Sequence, residues 1–270
     1  MILAGYCFEN VRLLLLSESP GSRGGQGLAN SSGMVGRGVF GHGDVRVYGT
    51  FDDYVINDFI GPGSAGIRID DFNGNNFDHT GVGFIRGAGF QSGAGGTPVE
   101  RTEIIPPGMR TWGKAYKDFL ARYYTRTLEI IAMPETLPHV DNRVDLDPDV
   151  RDEWGVPVPR TTFAFHENER RMQRFLAEIG EGIMRETGAG RVWSSLPTAN
   201  ATGWAGGTRM GDDPQASVAN SYGQSHDVPN LFIAGASLFP TLTGYPATAT
   251  IGALCYRTAE YILAHREWFR

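Results

Sequence analysis

Glycine takes 37 of the 270 positions, roughly twice its usual share, and follows no collagen-like period. That density constrains the fold to one with many tight turns and many places where backbone comes close to backbone, or to a ligand. Between the glycines there is enough apolar material for a core. The chain is 41% hydrophobic and 20% charged, ordinary values for a globular protein and unlike those of a disordered one. Its length suits one large domain or two smaller ones. A net charge of −6 without a Lys/Arg cluster leaves no footprint for nucleic acid.

Cys7 and Cys255 are the only cysteines. They exclude a disulfide framework and read as buried apolar fillers. No apolar run reaches the ~18 residues of a membrane span. The opening Met1–Arg12 carries Glu9, Asn10 and Arg12 and lacks a basic n-region, so no signal peptide is read. The compartment stays open, cytoplasmic or periplasmic by way of a partner. The histidines, His42, His79, His139, His166, His226 and His265, show no zinc spacing. Ile69-Asp70-Asp71-Phe72-Asn73-Gly74 hints at a calcium loop. It puts Ile69 and Thr80 where the first and last carboxylates belong, so a turn capped by Asn and Asp side chains is expected instead.

Along the chain, strands are expected at 2–4, 67–69, 127–133, 160–165, 191–194 and 230–234, and β-structure over 44–59. Asn142 to Gly155 reads as a short strand and a turn, and 20–27 and 87–99 as glycine-rich loops. Helices are expected at 9–17, where Leu13 to Leu16 are too apolar for a surface element, and at 112–124. Met172, Phe175, Leu176, Ile179 and Ile183 mark a third, closed by Gly188. A last helix, 250–265, is expected to bury Ile251, Leu254, Cys255, Ala259, Ile262 and Leu263. No internal repeat is visible. Each end pairs a short strand with a helix, and the middle is strand-rich. The expected architecture is therefore α/β plus α+β: a layered region made from both ends around a β-rich region.

Two short motifs fail on context. Gly36-Arg37-Gly38-Val39-Phe40-Gly41 fits a dinucleotide fingerprint, which needs a strand before it and a helix after it. Asn30-Ser31-Ser32 and His42-Gly43-Asp44 flank it instead. Ser237, in Gly235-Ala236-Ser237-Leu238-Phe239, is no nucleophile elbow, because Phe239 stands where glycine is required.

A longer series of blocks is more specific. Gly206-Gly207-Thr208-Arg209-Met210-Gly211 is followed by Asp212-Asp213-Pro214, His226-Asp227-Val228-Pro229-Asn230-Leu231-Phe232, Gly235-Ala236-Ser237-Leu238-Phe239-Pro240-Thr241 and Thr248-Ala249-Thr250-Ile251-Gly252. Upstream lie Glu9-Asn10-Val11-Arg12, Asn30-Ser31-Ser32-Gly33 and Asp145-Leu146-Asp147-Pro148. Together they resemble the glucose–methanol–choline (GMC) flavin oxidoreductases, in particular flavoprotein subunits of the gluconate 2-dehydrogenase type. The resemblance implies a doubly wound FAD-binding domain, built from residues 1–45 and 191–270, around a substrate-binding domain at 46–190. It implies hydride transfer from a CH–OH group of a sugar, sugar acid or other alcohol to FAD, as a dehydrogenase or an oxidase.

By the same resemblance, Asn10, Gly235, Ala236, Ser237, Ala247 and Thr248 contact the cofactor. The implied partners are a small sugar or alcohol substrate and a separate FAD-domain polypeptide, a small subunit or a cytochrome electron acceptor. Two departures qualify it. The family's N-terminal half, with its phosphate loop, is expected outside this chain. The family's catalytic pair falls on Gly203 and Pro246, whose side chains accept no proton. Tyr245, His226 and His166 are the substitutes the sequence offers. The alternative is a catalytically impaired relative serving as a binding or scaffold subunit.

Overall fold

A computed structural model describes residues 1–17, 27–56, 66–92, 104–197 and 201–269. The expected loop at 20–27 thus lies outside the described residues except for Gly27, as does 93–99 of the other. In chain order the elements are β1 (Ile2–Leu3), α1 (Tyr6–Leu16), β2 (Phe40–His42), β3 (Val45–Thr50), β4 (Arg68–Ile69), β5 (Phe90–Gln91), α2 (Lys114–Tyr123), β6 (Thr127–Ala132), β7 (Arg143–Arg151), β8 (Pro157–Thr162), α3 (Glu167–Glu186), β9 (Arg191–Ser195), β10 (Thr202–Ala205), β11 (Phe232–Ile233) and α4 (Thr248–Ala264). They gather into two units. The first takes Met1–His42, Thr136–Ala164 and Ala201–Arg270, and the second takes Gly43–Glu135 and Phe165–Asn200.

The second unit is built on an antiparallel sheet in the order β4-β5-β6-β3-β9. Its central strand explains the layering. Val45 and Val47 alternate with Arg46 and Tyr48, so the two faces differ in character. The valines join Phe90, Ile130, Met172, Leu176 and Met184 in a core beneath α3. Tyr48 stacks on Trp193 at 5.5 Å, and Phe119 of α2 completes that smaller cluster. The apolar residues of α3 recur at helical spacing, and Glu169 accepts a hydrogen bond from the His166 backbone N–H at 3.1 Å in its first turn. Gly180 permits the close approach of helix and sheet: a Cβ there would stand 2.8 Å from Val47 Cγ2 and 3.1 Å from Phe90 Cε1.

The first unit joins the two ends of the chain. β1 and β11 pair in parallel, Ile2 beside Phe232 and Leu3 beside Ile233. Val11 and Leu14 of α1 enter a core with Leu3, Val144, Leu231, Ile233 and Leu238. The β7–β8 hairpin fastens to α1, because the Arg12 guanidinium donates to Asp152 at 2.5 Å and to the Pro157 carbonyl at 2.9 Å. Residues 136–164, expected with the middle region, therefore group with the ends. β2 and β10 form a separate antiparallel pair.

Helix α4 departs from expectation. Of its residues only Thr258 is buried. Ile251 and Leu254 are partly covered by the Phe40, Ala205, Phe239 and Leu242 cluster. Cys255 and Ile262 are half-buried, Ala259 is exposed, and Leu263 is 69% exposed. The described residues cover that apolar face only in part and leave Ala259 and Leu263 exposed. No helix among the described residues is long and apolar enough to cross a membrane. Among them, no group of His, Cys, Asp and Glu could hold a metal ion. The Asp70–Asn76 stretch is a pair of turns, with Asn73 N–H on the Asp70 carbonyl at 3.0 Å and Asn76 N–H on that of Asn73 at 2.8 Å.

Candidate functional site

The candidate site is assembled within the first unit. Strand β11 runs into Gly235, whose φ of +107° is one that only glycine adopts without strain. A Cβ at this position would meet nothing within 4 Å, so the space above the turn is open. Ala236–Leu238 follow as one short 3₁₀ turn. Their carbonyls accept hydrogen bonds in succession from Gly206 N–H (3.1 Å), Thr208 N–H (3.0 Å) and Met210 N–H (2.8 Å). The Gly-Gly-Thr-Arg-Met block is thus laid alongside the turn, and Gly36 N–H holds its other side through the Gly207 carbonyl at 2.7 Å.

Asn10 braces this arrangement from α1. Its Nδ2 donates to Ser237 Oγ at 2.9 Å, and its Oδ1 accepts from Gly5 N–H at 2.7 Å. Both Asn10 and Ser237 are buried. Their polar atoms face one another, and the pair braces the Gly235 turn. Thr208 Oγ1 and Arg209 Nε are buried with no hydrogen-bond partner.

Ala236 and Ala247 pack against the same small cluster, around Phe40 and Leu242. That contact brings the start of α4 to the turn. Tyr245 and Ala247 are half-buried, while Pro246 and Thr248 are exposed. No side chain caps the helix at Ala247. Its first N–H groups therefore keep the partial positive charge of a helix N-terminus.

Gly203 lies on β10, exposed, with φ +59°. Thr202 pairs with His42 and Ala205 with Phe40, and the register slips between them. Such bulges re-aim the residues around them. His42 is 2% exposed and lies against Gly203. A Cβ on Gly203 would stand 3.0 Å from His42 Cδ2 and 3.6 Å from Nε2. Spacing along the chain gives no sign of this neighbour, since only the pairing of β2 with β10 creates it.

The other sequence candidates fall elsewhere. His166 belongs to the second unit, where it heads α3. His226 fixes a loop, its Nε2 lying 3.0 Å from Ser217 Oγ and 3.1 Å from the Gly211 carbonyl. The Gly36–Gly41 motif leads into strand β2, not a helix. Among the carboxylates, Glu135 in the second unit has its pKa raised by burial, against the pull of Arg86.

Residues 138–255 match the family model described as GMC oxidoreductase, C-terminal. The chain is 35% identical to the gluconate 2-dehydrogenase flavoprotein of Pantoea cypripedii, over 97% of its own length and 44% of that protein's. It is 34% identical to 2-methyl-1,2-propanediol dehydrogenase of Mycolicibacterium austroafricanum, over 93% and 45%. It is 27% identical to the fructose dehydrogenase large subunit of Gluconobacter japonicus, over 97% and 46%. The chain therefore spans about half the length of the curated relatives it matches. In fold it is similar to formate oxidase from Aspergillus oryzae RIB40, with a TM-score of 0.64 at 14% identity over 100% of this chain and 55% of that one. It is also similar to pyridoxine 4-oxidase from Mesorbium loti, with a TM-score of 0.58 at 16% identity over 98% and 51%.

Proposed function

We propose, for a chain that belongs to the GMC oxidoreductase family and carries that family's C-terminal domain, that it forms part of an FAD-dependent oxidoreductase acting on CH–OH groups. The substrate class is a sugar, a sugar acid or another small alcohol. The observation that carries this reading is the Gly235–Ser237 turn, fixed by Asn10 and by the Gly206–Met210 block next to the uncapped start of α4.

These residues fit the cofactor. The space over Gly235 admits a ligand against bare backbone, and the N–H groups at Ala247 and Thr248 favour an electron-rich ring edge. FAD, when bound, provides the acceptor for a hydride. The chain's own part is to orient the ring, to stabilise negative charge on it, and to take the hydroxyl proton of the substrate. The remaining flavin contacts, including the phosphate loop, come from outside the residues of this chain, on a contiguous segment or on a separate polypeptide. A small subunit or a cytochrome would then carry electrons onward.

The test is to purify the chain together with that FAD-binding remainder. Flavin absorbance and reduction of an artificial acceptor with aldoses, gluconate and polyols are then measured. Bound flavin and turnover with at least one of these classes are expected. Absence of flavin overturns the proposal. Flavin without turnover favours instead a binding or scaffold role, for which Gly203 and Pro246 argue.

A further inference from the structure

Resting on the hydride-transfer reading above, we propose that His42 is the proton acceptor for the substrate hydroxyl. Removal of a hydride from CH–OH leaves a proton on oxygen that some group must accept. Neither Gly203 nor Pro246 has a side-chain atom able to do so. His42 reaches the same neighbourhood from another part of the chain. It is buried, on β2, directly behind a residue that is exposed and has no side chain. Gly203 acts as a window. Its missing Cβ leaves the ring one residue deep, with Nε2 and Cδ2 on the side that faces it. The bulge between Thr202 and Ala205 and the positive φ of Gly203 hold the window open.

The step balances. The substrate O–H bond breaks as an N–H bond forms on His42. The electron pair left on oxygen becomes the second bond of the carbonyl. The C–H bond breaks, and its two electrons leave with the hydride to FAD. The histidine then returns its proton to solvent. His42 shares the first unit with the Gly235 turn and the start of α4, and Phe40, two residues before it, packs against Ala236 and Ala247.

The experiment uses the enzyme assembled with its FAD-binding remainder. His42→Gln and His42→Asn are compared with the parent for flavin spectrum, melting temperature and the pH dependence of kcat/KM. A retained spectrum, a fall in kcat of roughly 10²–10⁴-fold and loss of the acid limb are expected. Turnover within about threefold of the parent, with the limb preserved, overturns the inference while leaving the flavin reading intact; 10²-fold is the smallest effect expected of a removed base. A parent enzyme that holds flavin but reduces it with no sugar or alcohol removes both. Should the variants not fold, the parent chain labelled with ¹⁵N-histidine decides the matter. Sorbitol should shift the ring signals of His42, and unmoved signals at saturating sorbitol overturn the inference.

Discussion

At the scale of single residues, the two thiols and Asn10 make separable predictions. Both cysteines are free. Cys7 is 1% exposed, and burial pushes its thiol up to about 11, so at pH 8 almost none of it is thiolate. Cys255, half-buried on α4, is accessible. A thiol reagent at pH 8 should therefore label one cysteine quickly and the second only after denaturation. Two fast thiols would contradict the packing of α1. Asn10→Ala removes one donor and one acceptor from buried partners. It should cost about 1–3 kcal/mol, read from denaturant midpoints, and should weaken flavin retention in the assembled enzyme. The order of blocks in the sequence carried Asn10 and Ser237 as ligand contacts. Their mutual hydrogen bond, which makes them braces, is a tertiary fact that no spacing encodes. The contact of His42 with Gly203 is hidden from the sequence for the same reason: a strand partner far along the chain creates it.

At the scale of elements, what could be read was what has a period. Helix α3 repeats its apolar residues over roughly three turns, from Met172 to Met184, and β6 carries Leu128, Ile130 and Ile131, so both were legible. β2 and β10 were not. Phe40-Gly41-His42 and Thr202-Gly203-Trp204-Ala205 show no alternation and are interrupted by glycine, and they are strands only because they pair. Of the β-structure expected over 44–59, the strand found is Val45–Thr50; 51–56 are not strand, and 57–59 lie outside the described residues. Helix α1 begins earlier than expected, at Tyr6, which holds the strained φ of +74°. Gly180→Val tests the contact between α3 and the sheet. The added side chain meets Val47 and Phe90, so a loss of about 1–3 kcal/mol is expected, measurable by thermal or chemical unfolding.

The β7–β8 hairpin should respond to acid. Hydrogen bonds from Arg160, then Arg143, hold the Asp145 carboxyl below the usual range. Asp152 is likewise held down, first by the Val156 N–H and then by Arg12. A depressed folded-state pKa gives stability that is complete above the unfolded value, near 3.9, and lost as pH falls through the folded one. Asp145→Asn should therefore cost stability at pH 7, and the cost should shrink as pH falls below the unfolded value. Because the pair is part-exposed, the difference should stay at or below about 1 kcal/mol. A difference that persists unchanged at pH 2 would rule out this linkage.

At the scale of the whole molecule, α4 dominates. Tyr256 is 76% exposed and Leu263 69%, on a helix whose only charged residues are Arg257 and Glu260. Apolar surface of this kind marks association. The isolated chain should bind an apolar dye and self-associate with concentration in sedimentation, and both should fall when the FAD-binding remainder is added. A dye-negative monomer would argue that α4 is covered by other means. The general architecture, α/β at the ends and a β-rich middle, was visible in the sequence because each end pairs a strand with a helix. The grouping of residues 136–164 with the ends was not, because it rests on tertiary contacts such as Val144 in the core, Val144 N–H on the Gly36 carbonyl and Arg12 on Asp152. The parallel ladder between Ile2–Leu3 and Phe232–Ile233 has a further consequence, for biosynthesis. At about 5–20 residues per second, α1 leaves the ribosome many seconds before its partner strand exists. Its leucines lack that cover in the interval, so the yield of soluble protein should depend on the speed at which the stretch between the two segments is translated.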